Sequence, residues 1–296
     1  MRERFSIRLI SLNEIPEVTN WARLEGFSPG MDDVSIYRNT DKQGVWVACL
    51  DNNPIGSIAC IKYNSSYGFI GLFIVKKEFR NNGYGVRLWK HALEYLKNVD
   101  CIGLEAAPDR LNDYEKWGFR KSSITTRWEL NGSQDMPLKN FYTDQFHSFK
   151  VVPGNEISSQ AVLIYDDQRE PSPRPHFLND WLKNSHGNVS AIVDNNGMCH
   201  GFGRIRPCVL DDNEQGWRIG PLLADTPPLA ELLIRELVGD LDTQILLDCS
   251  NLNPYANYLL SSLGFEEISK TYRMYKGIQP SCPMNQVYGL ACLELG

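Results

Sequence analysis

Residues 69–96 read FIGLFIVKKEFRNNGYGVRLWKHALEYL, and this stretch decides the fold. The apolar run that ends at Val75 is typical of a buried strand, and Gly83 and Gly85 predict a tight loop after it. An amphipathic helix pattern begins directly behind the loop. Such a strand–loop–helix unit directs backbone N–H groups and the positive end of a helix dipole at one spot. We therefore expect the loop to bind the pyrophosphate of a phosphorylated cofactor.

Two common phosphate-binding loops do not fit this stretch. The dinucleotide fingerprint G-x-G-x-x-G requires a third glycine, and Leu88 stands at that position. The Walker loop requires Gly-Lys followed by Ser or Thr, which the chain never shows. The pattern that remains is Arg-x-x-Gly-x-Gly over residues 80–85.

A second motif lies downstream of the loop. The predicted helix has one apolar face, made by Val86, Trp89, Ala92, Leu93 and Leu96. A strand is predicted over 101–106, and Tyr-Glu-Lys-Trp-Gly-Phe follows at 114–119.

Composition and charge exclude several classes of protein. The chain has 296 residues, 42% of them hydrophobic, and a net charge of −6, which argues against a nucleic-acid partner. No apolar run approaches the roughly 20 residues that span a bilayer, and residues 1–5 lack the apolar core of a signal peptide. The eight cysteines and five histidines show no metal-ligand spacing. We expect a cytoplasmic protein with reduced thiols, no metal and no membrane or nucleic-acid partner.

The remaining pattern predicts alternating strands and helices. In the first half, strands are expected over 5–10, 45–50, 55–63 and 122–130, and helices over 15–24, capped by Asn13, and over 111–117. In the second half, strands are expected over 189–193, 199–205 and 245–249.

The second half repeats landmarks of the first. Gly201 follows Gly56 by 145 residues, and Gly264, within Leu-Gly-Phe, follows Gly118, within Trp-Gly-Phe, by 146 residues. Two landmarks with nearly the same offset indicate a duplicated domain. We predict a first domain over 1–135, a linker over 136–150 and a second domain over 151–296.

The two copies differ where the cofactor loop is expected. Residues 217–228 of the second copy contain no Arg-x-x-Gly-x-Gly, and proline there has no N–H to donate. Asp225 would repel a phosphate, and Leu260 stands where the first copy has Tyr114. We therefore assign cofactor binding and chemistry to the first domain, and a substrate-shaping or structural role to the second, degenerate one.

The Arg-x-x-Gly-x-Gly loop and the 114–119 motif, in this order and with these elements between them, resemble the GCN5-related N-acetyltransferases. The whole pattern is similar to a bacterial subgroup with a catalytic N-terminal domain and a degenerate C-terminal one, and residues 25–30 and 219–221 share in that similarity. The resemblance implies two α/β domains of mixed, mostly antiparallel sheet flanked by helices. It also implies acetyl-CoA as cofactor and direct acetyl transfer to an amine through a tetrahedral intermediate.

The resemblance also implies roles for individual residues. Strand residues 73–75 would pair with the pantetheine arm, and a backbone N–H there would polarise the thioester carbonyl. The residues expected to bind the cofactor are Phe73, Ile74, Val75, Arg80, Asn81, Asn82, Gly83, Tyr84, Gly85 and Val86. Tyr114 is the candidate acid for the departing thiolate, although Ala107 replaces an asparagine that the family often has seven residues before this tyrosine.

The base and the acceptor site are defined less sharply by the sequence. Glu25 is the first candidate for the base, because its Glu-Gly-Phe-Ser-Pro-Gly turn is expected near the substrate cleft. Asp32, Asp33 and Glu105 are further candidates. Arg206, Arg218 and Arg273 would favour an acidic acceptor if they face the cleft.

Three functions remain open at this point. The first is an N-acetyltransferase acting on a small-molecule amine. The second is the same chemistry on a protein lysine or N-terminus, which requires an open groove. The third is a coenzyme A-binding module without catalysis.

Overall fold

The computed structural model describes residues 4–137, 148–210 and 214–296. Most of the predicted linker, residues 138–147, lies outside the described residues. Within them the strands are β1 Phe5–Leu9, β2 Val45–Leu50, β3 Asn53–Lys62, β4 Tyr67–Val75, β5 Cys101–Ala106, β6 Arg120–Leu130, β7 Phe149–Pro153, β8 Asn188–Asp194, β9 Cys199–Val209, β10 Gln215–Ala224, β11 Ile245–Ser250, β12 Glu266–Gly277 and β13 Val287–Gly289. The helices are α1 Ile15–Leu24, α2 Asp33–Thr40, α3 Tyr84–Tyr95, α4 Leu111–Glu115, α5 Ser159–Asp167, α6 Pro175–Lys183, α7 Pro227–Val238 and α8 Ala256–Ser262.

All the strands join one mixed sheet, in the order β1-β2-β3-β4-β5-β12-β6-β11-β10-β9-β8-β7, and β13 pairs with β10. The last long strand of each half pairs with a strand of the opposite half. Strand β12 pairs with β5 of the first half, and β6 pairs with β11 of the second half. The two exchanged strands also pair with each other, antiparallel, at the centre of the molecule. The two predicted sheets are therefore one, interlocked by strand exchange.

Helices cover both faces of the sheet. On β2, Val45, Val47 and Cys49 pack with α1 and α2, whereas Ala48 belongs to the cluster under α3, as the alternation of a strand requires. In the second half, α7 and α8 cover one face and α5 packs on the other. This confirms the α/β class with helices on both sides.

The duplication is visible in matching turns. Gly118 and Gly264 both have positive φ, at 90° and 87°, and each ends a helix before a buried phenylalanine. A Cβ at Gly56 would lie 2.6 Å from the carbonyl oxygen of Ile74, and one at Gly201 would lie 2.9 Å from that of Leu223. The two glycines thus permit the same close strand approach in each half.

Four details differ from the sequence expectations. Val86 is half exposed and Leu88 is buried, since the helix face that meets the sheet is made by residues 88, 89, 92 and 96. The first helix is preceded by a 3₁₀ turn with a capping box between Ser11 and Glu14, so Asn13 is not its cap. Helix α2 was not predicted at all. Strand β7 begins at Phe149, near the end of the predicted linker.

No helix within the described ranges is long and apolar enough to cross a membrane. Across the same ranges, no three His, Cys, Asp or Glu side chains converge as metal ligands do. Seven of the eight cysteines are buried, Cys282 only partly so, and all eight are free thiols.

Candidate active site between parted strands

The sheet opens between β4 and β5. The two strands run parallel and pair from Tyr67↔Cys101 to Ile70↔Leu104. Beyond Ile70, β4 continues to Val75 while pairing only with β3 on its other side. Leu72 has a φ of 46° and lies at an irregularity in the β3–β4 register. A backbone kink at this point turns β4 away from β5, so residues 71–75 have an edge that no described strand covers.

Tyr114 reaches this opening through a row of aromatic rings. The ring of Phe73, on the parted segment, lies 5.4 Å from that of Trp89 on α3, and Trp89 lies 5.1 Å from Tyr114 on α4. The Tyr114 hydroxyl donates to none of the described residues. Burial raises the pKa of Tyr114 to about 12, because the phenolate would lose its hydration. The side chain is therefore a neutral proton donor throughout the neutral pH range.

The predicted cofactor loop connects β4 to α3. Gly83 has a φ of 79°, caps the helix, and a Cβ placed there would meet no atom within 4 Å. The N–H groups of the first turn of α3 have no intrahelical acceptors and point with the helix dipole into this open space. Asn81 also has a positive φ, of 64°, and Asn82 donates to the carbonyl oxygen of Arg80.

Arg80 and Glu25 are brought together by the structure. The Arg80 guanidinium donates to the carbonyl oxygen of Val75 at 2.7 Å and to the Glu25 carboxylate at 2.5 Å. Arg80 thus ties the end of β4 to the end of α1 beneath the loop. The phosphate contact predicted for Arg80 and the base role predicted for Glu25 stay predictions.

Glu105 lies at the base of the opening, one residue after the last β4–β5 pair. Its carboxylate accepts from Thr125 and Thr271, each at 2.9 Å, and from Arg273 Nε at 2.6 Å. Arg273 and Glu105 are both buried. Since Arg273 belongs to the exchanged strand β12, this ion pair joins the two halves.

The other predicted acceptor-site residues are spread along the same face of the sheet. Arg206 forms a two-pronged, buried ion pair with Asp33 on α2. Arg218 donates to Asp248 at 2.6 Å and to the carbonyl oxygen of Phe27. Asp32 instead lies at the surface, where it accepts from Asn184 and contacts His186. All of them are engaged by partners inside the protein, and their binding roles remain predictions.

The sequence reasoning missed a pair that mirrors Arg273 and Glu105. Arg127, on the exchanged strand β6, binds Asp248 of β11 at 2.8 Å and donates to the carbonyl oxygen of Gly26. Burial alone would raise the pKa of Asp248, but Arg127 and Arg218 lower it to about 2. Arg273 follows Arg127 by 146 residues, the offset of the Gly118 and Gly264 landmarks, so aligning the repeats would have revealed Arg127 as the counterpart of Arg273.

The corresponding opening in the second half is filled. Strands β10 and β11 pair only as far as Ile219↔Leu247. Strand β13 then enters between them, pairing with β10 at Leu222↔Gly289, and the N–H of Leu290 donates to the carbonyl oxygen of Asp248 on β11. The second half thus places its own backbone where the first half has a parted sheet.

The second half also lacks the other parts of the site. Strand β10 is followed by α7 after only Asp225 and Thr226, and Asp225 is occupied by Tyr165, Arg169 and His200. Leu260, at the position of Tyr114, is fully buried. A phosphate would therefore find no glycine loop here, and the first two residues of α7 are prolines, which have no N–H to donate.

Each half of the chain matches a known acetyltransferase family. Residues 12–119 match the "Acetyltransferase (GNAT) family" and residues 162–289 match the "Acetyltransferase (GNAT) domain". Together the two matches span most of the chain, one in each half.

Individual relatives agree with this assignment. The chain is 26% identical to the holothin acyltransferase of Pseudoalteromonas sp. (strain SANK 73390) over 97% of this chain and 92% of that protein. A putative acetyltransferase from Pyrococcus horikoshii has a similar fold, with a TM-score of 0.78, 23% identity and coverage of 99% of this chain and 96% of that one. A tandem GNAT protein from the clavulanic acid biosynthesis pathway has a TM-score of 0.61 at 12% identity, covering 95% of this chain and all of the other. The chain belongs to the GCN5-related N-acetyltransferase superfamily, as an acyltransferase with two such domains in tandem.

Proposed function

We propose that this acyltransferase uses acetyl-CoA and transfers the acetyl group to the amine of a small molecule. The observation that carries the proposal is the contrast between the two openings of the sheet. Among the described residues no strand pairs with the edge of β4 beyond Ile70, whereas the equivalent edge of β10 is paired with β13. An extended ligand binds an exposed strand edge as an added strand. The backbone of β13 thus occupies in the second half the position that we assign to the pantetheine arm in the first.

The loop at 80–86 fits the pyrophosphate end of the cofactor. The start of α3, a helix of 12 residues, offers its first N–H groups beside a glycine with open space around it. No carboxylate in the loop opposes an anion, since residues 80–86 contain none. The second half has a carboxylate, Asp225, at the start of α7.

The residues around the opening have complementary roles in this proposal. Bound acetyl-CoA supplies the acyl group and leaves a thiolate. A backbone N–H of Ile74 or Val75 stabilises the negative charge that develops on the carbonyl oxygen of the thioester. Tyr114 donates a proton to the thiolate. Glu25, at the mouth of the opening, takes the proton of the amine, directly or through a water molecule.

The cover over the opening favours a small acceptor. The turn at residues 26–30 is anchored across the sheet by Arg127 and Arg218, which bind its carbonyl oxygens. The N–H of Val209 on β9 also donates to Pro29. A turn fixed at three points, two of them in the second half and one on the exchanged strand β6, leaves less room for a peptide chain than an open groove does. A cytosolic location stays a prediction from the sequence.

Calorimetry with matched loop variants tests cofactor binding. We expect coenzyme A to bind with a stoichiometry of one per chain. Asn82→Asp should weaken binding at least about tenfold, because a carboxylate repels the pyrophosphate in a partly desolvated loop. The fold should not suffer, since an acidic residue near a helix N-terminus is favourable. Asn82→Ala is the control and should bind nearly as wild type.

A thiol-release screen of small amines with acetyl-CoA tests turnover. Wild type that binds no coenzyme A would refute the proposal. Binding without turnover on any small amine, but with turnover on peptides, would shift the acceptor class to proteins. Binding with no turnover on either would favour a coenzyme A-binding module.

A further inference from the structure

A cavity of about 340 Å³ lies at the junction of the two halves. The exchanged strands β6 and β12 form its floor, and residues 169–171, 279–282 and the chain end around Gly296 form its walls. Its lining is rich in hydroxyls, from Ser122, Ser123, Thr125, Ser250 and Ser281, and includes the charged side chains of Arg169, Glu170 and Arg273.

This cavity shares a wall with the opening between β4 and β5. Arg273 and Thr125 line the cavity, and both donate to Glu105, the first residue beyond the last β4–β5 pair. The guanidinium of Arg273 reaches over β5 to lie 4.9 Å from the ring of Phe69 on β4. The chain end links the two places, because Gly296 lines the cavity and lies against the Phe69 ring, while the backbone of Glu294 lies against Gly71 at the start of the parted segment.

The cavity wall carries donors that the protein does not satisfy. Arg273 is buried, yet its Nη2 has no partner among the described residues, although Nε is bound to Glu105. The Nε of Arg169 is likewise without a partner among them. Buried N–H groups normally donate to something, and here the missing acceptor must be an oxygen of a ligand or of water.

The charges around the cavity disfavour an anion as that ligand. Arg273 is balanced by Glu105 and Arg169 by Asp225. Arg174 is shared between Asp166, at 2.8 Å, and Glu170, at 2.7 Å, so two carboxylates contact one guanidinium. Burial raises the pKa of Glu170 to about 7 in spite of Arg174. A further carboxylate would add to a charge that this environment already resists.

We propose that the cavity receives the acceptor amine, and that Arg273 Nη2 donates to a neutral carbonyl oxygen of that molecule, such as an amide oxygen. The inference rests on the proposed acyl transfer. It names the group that the enzyme recognises in its acceptor, and it replaces the acidic acceptor that a cleft-facing arginine first suggests.

Three amines of equal length test the recognised group: 4-aminobutanamide, 4-aminobutanoate and pentylamine. We expect kcat/KM with acetyl-CoA to be at least about tenfold higher for the carboxamide than for either of the others. Pentylamine leaves a charged donor unpaired, which costs at least that factor. The carboxylate supplies an acceptor but adds unfavourable charge. A preference for 4-aminobutanoate, or equal rates for all three, would overturn the assignment.

Arg273→Lys and Arg127→Lys form a matched pair of variants. Each arginine is buried and pairs with one carboxylate of the neighbouring strand, but only Arg273 lines the cavity. A lysine at 273 can hold Glu105 but lacks the second nitrogen of the fork. We expect the preference for carboxamide over pentylamine to fall to about one in Arg273→Lys and to persist in Arg127→Lys. An equal loss in both, or none in Arg273→Lys, would contradict the proposal.

Ser123→Leu supplies a test that leaves both ion pairs in place. The larger side chain enters the cavity, so KM for 4-aminobutanamide should rise at least about tenfold while the affinity for coenzyme A stays unchanged. Tyr258→Leu, at an exposed position of α8 that does not line the cavity, is the control and should leave KM unchanged. An unchanged KM in Ser123→Leu would remove the cavity from the acceptor path.

Direct binding measurements distinguish a failure of the cavity assignment from a failure of the proposed acyl transfer. Calorimetric binding of 4-aminobutanamide without turnover of any amine in the wider screen would leave the cavity assignment standing and remove the proposed acyl transfer. Turnover without any carboxamide preference would do the reverse. If none of the three amines binds or reacts while other amines in the screen turn over, the cavity assignment alone fails.

Discussion

At the scale of single residues, Tyr114 is the side chain whose environment is easiest to connect with chemistry. It follows Trp89 and Phe73 in a row of rings that ends on the uncovered segment of β4. Its pKa, raised by burial to about 12, keeps the proton on the hydroxyl. Its hydroxyl is not used to hold the fold, because no described residue binds it.

We therefore expect Tyr114→Phe to lower kcat by roughly 10²-fold, the usual contribution of a positioned acid, with little change in the affinity for coenzyme A. Steady-state kinetics and calorimetry measure the two effects. Tyr258→Phe is the control, since Tyr258 is exposed on α8 of the second half. If Tyr114→Phe weakens coenzyme A binding and leaves kcat intact, the residue packs the cofactor and does not act as an acid.

The raised pKa of Tyr114 also makes the stability of the folded protein depend on pH. Because the folded-state pKa of Tyr114 lies above the ordinary value of about 10, its neutral form stabilises the native state fully below pH 10. That contribution is lost as the pH rises from about 10 to 12. In urea titrations over this range, Tyr114→Phe should lose less stability than wild type with rising pH. Equal losses would mean that the phenol is not buried.

At the scale of elements, the two openings of the sheet should differ in amide hydrogen exchange. Residues 219–224 of β10 are already paired with β13 and β9, so their exchange should be slow and insensitive to coenzyme A. Residues 71–75 of β4 should exchange faster alone and gain protection when coenzyme A binds. At the same coenzyme A concentration, Asn82→Asp should show a smaller gain. Ligand-dependent protection in β10 instead of β4 would mean that the second half, and not the first, binds coenzyme A.

The local sequence pattern sufficed for short strands that are mostly buried along their whole length. Strands β2 and β5 have the predicted bounds because their apolar residues set both the element and its ends. Helix α2 escaped prediction, since Asp33 is buried there by an ion pair with Arg206 from the other half. Strand β13 has three residues and exists only because β10 and β11 part around it. Its position depends on tertiary pairing that no local pattern encodes.

At the scale of the whole molecule, the strand exchange makes each half depend on the other. Without β12, the first half would expose the edge of β5 and leave Glu105 buried without Arg273. Without β6, the second half would lose the partner of β11 and leave Asp248 without Arg127. Removing one partner of a buried ion pair costs about 3–5 kcal/mol, and uncovered central strands promote aggregation. The total rivals the 5–15 kcal/mol that typically stabilises a protein.

This dependence predicts the behaviour of a split protein. Residues 1–142 and 143–296, expressed separately, should each be insoluble or unfolded, because each lacks a central strand that the other supplies. Co-expressed, with a tag on the first only, they should copurify as a one-to-one complex that binds coenzyme A. Arg127→Ala in the first fragment and Arg273→Ala in the second should each weaken the complex, since both ion pairs cross between the fragments. A first fragment that is soluble, monomeric and cooperatively folded alone would show that the exchange is not needed for folding.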